Sequence, residues 1–195
     1  HAIQTQQKLY SELFEKIPFW SGEDLTNKTI YVYYEAGLGD TLMYFRYLKL
    51  LAQRCKKVYF KPQSALLSLF AENRGNTKII MRLNKKISDE CDYQCPIMSL
   101  PYFLGLNNQT IFYDSDKFLK AVPKKVQYYK ENFFNNDKFK IGIKWQGNTF
   151  IGGERAITAE SFAKIFELPN TQIYSVQVME GSEQIKALQN KYMNY

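Results

Sequence analysis

Apolar side chains at Ile3, Tyr10, Leu13, Phe14 and Ile17 fall close to one stripe of a period of about 3.6 residues, which predicts an amphipathic helix over residues 3 to 17. Pro18 and Gly22 break that pattern. The run "TIYVYYEA", residues 29 to 36, is β-branched and aromatic, of strand length, and apolar at both odd and even positions. A strand apolar on both faces belongs to a parallel sheet covered by helices. After a glycine turn, "TLMYFRYLKLLAQR" is apolar nearly all round and predicts a buried helix. The order then recurs: strand "KVYFK", helix "SALLSLFAEN", strand "TKIIMRL", a short strand near "DYQCPI" and a helix starting at "SLPYFLGL". Alternating strands and helices predict an α/β fold with a Rossmann-like, doubly wound parallel sheet.

Residues 107–138 lose the alternation, passing through "NNQTIFYDSDKFLKAVP" to a helix in "KKVQYYKENFF" and the polar turn "NNDK". From residue 139 it resumes with strand "FKIGIKW", loop "QGNTFIGGERAI", helix "TAESFAKIFEL", strand "TQIYSVQV" and a last helix within "GSEQIKALQNKYMNY". The predicted division is an N-terminal helix (1–18), a Rossmann-like domain (19–106), a linker with a helix (107–138) and a partial second Rossmann-like domain (139–195). A piece of roughly 57 residues is marginal as a core of its own.

Composition narrows the chemistry. The 195 residues are 45% hydrophobic, enough for a substantial core, and no apolar run approaches the roughly 18 to 20 residues that span a bilayer. The opening "HAIQTQQKLY" lacks a signal-peptide pattern, so a cytoplasmic location is expected, with peripheral membrane contact left open. With His1 in place of Met, the chain is expected to be a processed or truncated piece. As the single histidine, it leaves no Ser-His or Cys-His nucleophile system within the chain. Cys55, Cys91 and Cys95 are odd in number and lack the partners of a zinc site, so they are read as reduced thiols, and no metal is expected. The net charge of +7 is spread over lysines that alternate with apolar residues, as on solvated faces, and no nucleic-acid motif accompanies it.

The segment "YYEAGLGDTLMYF" carries the strongest functional signal. Gly37 and Gly39 allow positive φ and close approach to peptide amides, and a helix N-terminus follows at the carboxyl end of the first strand, where open α/β sheets bind ligands. Leu42 stands where the dinucleotide fingerprint has its third glycine, and no P-loop Lys-Ser/Thr follows. Asp40 places a carboxylate where a diphosphate needs positive charge, so the turn suits a hydroxyl better than a phosphate. Two roles stay open for it: helix N-cap and catalytic base, compatible only if one carboxylate oxygen stays free.

The segments "FWSGEDLTNKTIYVYYEAGLGDTLMYFRYLKLL", "DYQCPIMSLPYFLGL" and "KIGIKWQGN" with "RAI" beyond it resemble, in order and spacing, a glycosyltransferase family. It is the domain often found after tetratricopeptide repeats, related to the ADP-heptose:lipopolysaccharide heptosyltransferases. The resemblance runs from about Phe19 to Val178. It implies a GT-B architecture of two Rossmann-like domains, with acceptor bound by the first and nucleotide-sugar donor by the second. On this resemblance Asp40 matches the family's Gly-Asp position and is the base that deprotonates a saccharide or protein hydroxyl, with inversion at the sugar. Gly37, Gly39, Thr41 and Ser99 are the implied substrate contacts of the first domain, Ser99 also reading as a helix cap. Gln146, Gly147 and Asn148 line the cleft, and Arg155 meets the diphosphate; no cofactor beyond the nucleotide-sugar substrate is implied. The chain has "TFIGGE" where the family loop carries Pro and His. The family's later donor segment would lie beyond Tyr195, so the piece is expected to be inactive alone, and the opening helix matches the end of a repeat array.

Other signals are weaker. "DSD" at Asp114 to Asp116 resembles a metal-binding Asp-x-Asp but sits in the predicted linker and reads as a polar turn. Trp20 and Trp145 read as packing residues before sugar-stacking platforms. The readings that compete with a transferase are a non-catalytic binding module of the same fold and an unrelated Rossmann-like nucleotide-binding domain.

Overall fold

The computed structural model describes residues 16–82, 90–111, 118–147 and 156–192. The expected helix at residues 3 to 17 and the Asp114 to Asp116 turn lie largely or wholly outside them. The chain forms two compact units, His1–Val122 and Pro123–Tyr195.

The first unit is built on a four-stranded parallel sheet in the order β3-β2-β1-β4, where β1 is Thr29–Tyr33, β2 Lys57–Lys61, β3 Ile79–Met81 and β4 Tyr93–Pro96. This is a mixed α/β unit compatible with a Rossmann-like fold. Strand β1 runs centrally, in register with β2 from Thr29↔Lys57 to Tyr33↔Lys61 and with β4 from Ile30↔Tyr93 to Tyr33↔Pro96. The Tyr34 amide still bonds the Lys61 carbonyl at 3.1 Å, so β1 stays tied to β2 one residue past Tyr33.

Alternation along β1 sends Ile30 and Val32 to one core and Tyr31 and Tyr33 to another. On the first face Val58, Phe60, Ile79 and Cys95 join them under Phe45, Leu48, Leu51, Phe70 and Leu100 from the helices. Phe45 and Phe70 stack with ring centroids 4.0 Å apart, and Phe60 lies 6.0 Å from Phe45. All the described helices of this unit feed that one core, while the opposite face is lined by Ile17, Tyr31, Tyr33 and Tyr59. The helical cover on both faces that defines a doubly wound sheet is therefore not seen among the described residues.

The single helix expected after the glycine turn is divided into α1 (Leu38–Tyr44) and α2 (Tyr47–Arg54). Phe45 and Arg46 keep right-handed helical dihedrals, but the Leu48 amide bonds the Phe45 carbonyl at 3.1 Å, a three-residue closure. Arg46 Nε donates to the Met43 carbonyl at 3.1 Å, the acceptor that the next amide of a continuous α-helix would use. Further on, α3 is Leu67–Asn73, entered through a 3-10 turn at Ser64–Leu66, and α4 is the short Leu100–Phe103. Trp20 packs against Phe103 and donates its indole N–H to the Glu23 carbonyl at 2.8 Å, as a core residue.

The second unit holds α5 (Pro123–Asn132), the parallel pair β5 (Phe139–Ile143) and β6 (Thr171–Ser175), and α6 (Gln184–Tyr192). Its core is Ile143, Trp145, Ala159 and Leu188, with Phe162, Phe166 and Ile173 against it. The helix expected within "TAESFAKIFEL" is a 3-10 helix, Ala159–Glu167, rather than α. Gln184 Oε1 takes its first amide at 2.8 Å, and Phe162 and Phe166 still reach the core, so the tighter winding sacrifices no packing. No described helix is long and apolar enough to cross a membrane.

The stacked pair gives the first prediction. Replacing fully buried Phe45 with Ala removes the ring stacked on Phe70 and tilted against Phe60, and should cost about 3–5 kcal/mol of stability in urea unfolding. A loss under about 1 kcal/mol would show that the core closes over the gap.

Candidate functional site

The chain runs outward from β1 through β2 to β3 and returns to the other side of β1 as β4, so the order of strands reverses between β1 and β4. Ligands of open parallel sheets bind in the crevice at the carboxyl ends flanking such a reversal. Here that edge is formed by Tyr34 to Gly37 leading into α1, and by the 3-10 turn Ile97–Ser99, which packs beside α1.

Two side chains hold these turns in place. Glu35 Oε1 accepts the Met98 amide at 3.1 Å, tying the exit of β1 to the exit of β4. Gln63 Nε2 donates to the Ala36 carbonyl at 3.0 Å, bracing the same turn from beyond β2. Although Glu35 reaches solvent, the packed chain around it raises its carboxyl above the ordinary value, and the hydrogen bond from Met98 opposes that shift. Lys61 ends β2 in register with Tyr33, half-buried, and burial pushes its ammonium below the ordinary lysine value.

Within α1 the geometry differs from a glycine-opened turn capped by aspartate. Gly37 is the N-cap, with φ −71° and ψ 171°, and neither it nor Gly39 adopts positive φ. Asp40 is the third helical residue, not the cap: its Oδ2 accepts the Gly37 amide at 2.9 Å, the backward half of a capping box. An added Cβ at position 37 would stand 3.2 Å from Asp40 Oδ2, so a side chain there would press on the carboxylate that makes this bond. A Cβ on Gly39 would meet nothing within 4 Å, so the surface there is open. Asp40 Oδ1 makes no hydrogen bond with a described residue, and the side chain is half-exposed.

The other candidates sort by environment. Thr41 is fully buried and donates its hydroxyl to the Gly37 carbonyl at 3.2 Å, so it supports the turn from inside. Ser99 occupies the N-cap position of α4, as its reading as a cap expects, but makes no side-chain capping bond, and it stays half-exposed beside α1. Gly37, Gly39, Asp40 and Ser99 thus gather at one edge of the first unit.

Gln146 and Gly147 belong to the second unit, at the carboxyl end of β5. The Gln146 side chain turns inward, its Oε1 accepting from Gln184 Nε2 at 3.4 Å and lying 2.6 Å from where a Cβ on Gly181 would stand. Gly181 has φ +80° and its carbonyl accepts the Trp145 indole N–H at 3.1 Å, which makes Trp145 a packing residue. Gly147 is exposed. Asn148 and Arg155 lie outside the described residues.

Sequence reasoning missed Glu35 and Gln177. Gln177 is buried and joins the Trp145 and Gln146 amides through Oε1 at 3.3 and 3.1 Å, while its Nε2 donates to the Gln146 carbonyl at 3.0 Å. A polar residue between the last two valines of "TQIYSVQV" was the available signal. The thiols offer no nucleophile: burial pushes Cys55 up to about 11 and Cys91 and Cys95 up to about 12. Among the described residues no group of His, Cys, Asp and Glu could hold a metal ion. No family model, curated protein or solved structure matches the chain.

Glu35 gives the site a testable pH dependence. Its folded carboxyl titrates above the unfolded value of about 4.3, so ionising it weakens the fold. Its contribution is complete below that value and is lost as pH rises through the raised one. Glu35→Gln keeps an acceptor for Met98 without a charge to desolvate. The melting temperature of Glu35→Gln relative to wild type should therefore climb as pH rises from about 4 toward neutrality. A relative melting temperature that falls over that range would contradict the assignment.

Proposed function

We propose that the chain is a glycosyltransferase domain in which Asp40 takes the proton from an acceptor hydroxyl. The observation that carries this reading is the division of labour within one carboxylate: Oδ2 holds the Gly37 amide, while Oδ1 engages no described residue on a half-exposed side chain. A base needs an oriented carboxylate with a lone pair left for the proton, and the hydrogen bond to Gly37 supplies the orientation. The location beside the β1–β4 reversal and the open surface over Gly39 give the hydroxyl a path to it.

The charge next to α1 supports the choice of ligand. Asp40 and Glu35 both lie next to the first turn of α1, and α1 is only seven residues long, so its end offers a phosphate little attraction. A neutral saccharide hydroxyl meets no such opposition. In the proposed step the hydroxyl oxygen forms its bond to the anomeric carbon of a nucleotide sugar as its proton passes to Asp40 Oδ1. The bond from that carbon to the nucleoside diphosphate breaks, with inversion. The GT-B arrangement, the nucleotide-sugar donor and the roles of Gln146, Gly147, Asn148 and Arg155 on the donor side belong to this same proposal and rest on the sequence resemblance.

The test is transfer and donor hydrolysis with a panel of nucleotide sugars, on this chain and on the longest natural reading frame containing it. Asp40→Asn keeps an oxygen for the Gly37 amide, so it should leave stability within about 1 kcal/mol while lowering turnover by roughly 10²–10⁴-fold. Turnover unaffected by Asp40→Asn would reduce the aspartate to its capping role, and no turnover in either form would favour a binding module.

A further inference from the structure

The opposite edge of the same sheet has a different electrostatic character. Where β1, β2 and β3 begin, a concavity of about 340 Å3 is lined by Arg54, Lys56 and Lys78, with Thr26, Asn27 and Gln53 supplying neutral polar groups and Cys55 at its wall. Three cations line this hollow and no carboxylate does. The described ion pairs of the first unit, Lys28 with Asp92 and Arg82 with Glu90, do not involve them.

Two of the cations are anchored with donors to spare. Arg54 Nη1 donates to the Leu104 carbonyl at 3.1 Å, leaving most of its five N–H groups for other acceptors. Lys78 Nζ donates to the Cys55 carbonyl at 2.9 Å, leaving two. Lys56 is fixed through its backbone amide, 2.8 Å from the Lys28 carbonyl, and its ammonium bonds no described residue. Asp24, engaged by the Thr26 amide and hydroxyl at 3.0 and 2.7 Å, lines with Glu23 a neighbouring cavity that shares Arg54 and Thr26 with this one, whereas Lys56 and Lys78 line this hollow alone. Like charges gathered round one hollow repel one another, and a bound anion removes that cost.

We propose that this hollow is a binding site for a dianionic phosphate group carried by a small molecule or a lipid headgroup. An arginine fork beside two ammonium groups matches several phosphate oxygens at once. The volume falls in the range of small-molecule sites, about 300–1,000 Å3, and exceeds the needs of a bare phosphate ion. The site is independent of the transferase reading, because it lies at the amino ends of the strands and Asp40 at their carboxyl ends.

The test is calorimetric titration of the full chain with inorganic pyrophosphate, alongside sedimentation with phosphatidylcholine vesicles with and without phosphatidic acid. Lys56→Gln removes a charge that makes no side-chain bond, so folding should be unaffected; Lys130→Gln on exposed α5 controls for net charge. The expected result is pyrophosphate binding that weakens with salt and falls about threefold to tenfold in Lys56→Gln but not in Lys130→Gln. Vesicle binding that requires phosphatidic acid and is lost in Lys56→Gln would assign the phosphate to a headgroup; pyrophosphate binding without it would assign a soluble ligand. Binding of neither, or equal weakening by Lys130→Gln, would overturn the proposal.

Discussion

Strand β1 is hydrogen-bonded along both edges, to β2 and to β4, and its side chains enter separate cores on its two faces. With both edges and both faces occupied, Thr29–Tyr33 has no freedom to slip by a residue, because a slip would exchange Ile30 and Val32 for Tyr31 and Tyr33 throughout. Everything proposed for this protein is placed by that constraint. It fixes where the chain must leave the sheet, just beyond Tyr33 on β1 and Pro96 on β4. The Glu35–Met98 hydrogen bond then joins the two released segments, and Asp40 follows from the helix that begins at the next turn.

The strands were legible in the sequence because apolar side chains on both faces leave few alternatives. "KVYFK" corresponds residue for residue to β2, and the strand centres of β1, β4, β5 and β6 fall inside their apolar runs. What could not be read arises from side chains that compete for backbone groups. The break between α1 and α2 coincides with the Arg46 bond to the Met43 carbonyl, which no periodicity encodes. Asp40 sits three residues inside the cap position rather than on it, since Gly37 provides the extended backbone and the carboxylate reaches back. Glu35 was invisible because its partner, Met98, is 63 residues away and contributes only a main-chain amide. The inward turn of Gln146 likewise depends on Gly181 and Gln184, more than thirty residues on.

Each edge of the first sheet carries charge of both signs, Lys61 ending β2 at the carboxyl edge and Asp92 accepting the Thr29 amide where β1 begins. Glu35 and Asp40 lie at the carboxyl edge, and Arg54, Lys56 and Lys78 at the amino edge. Three cations round one hollow stand out against basic residues otherwise dispersed along the sequence. The two proposed sites thus draw on different local groups, a carboxylate at one and three cations at the other.

The most direct measurement is a titration of backbone amide resonances with neutral saccharides and, separately, with inorganic phosphate. The central expectation is that a saccharide shifts Gly37, Leu38, Gly39 and Ser99 together, whereas phosphate leaves them in place. Phosphate shifting those four amides while no saccharide does would contradict a hydroxyl-binding carboxylate at this edge.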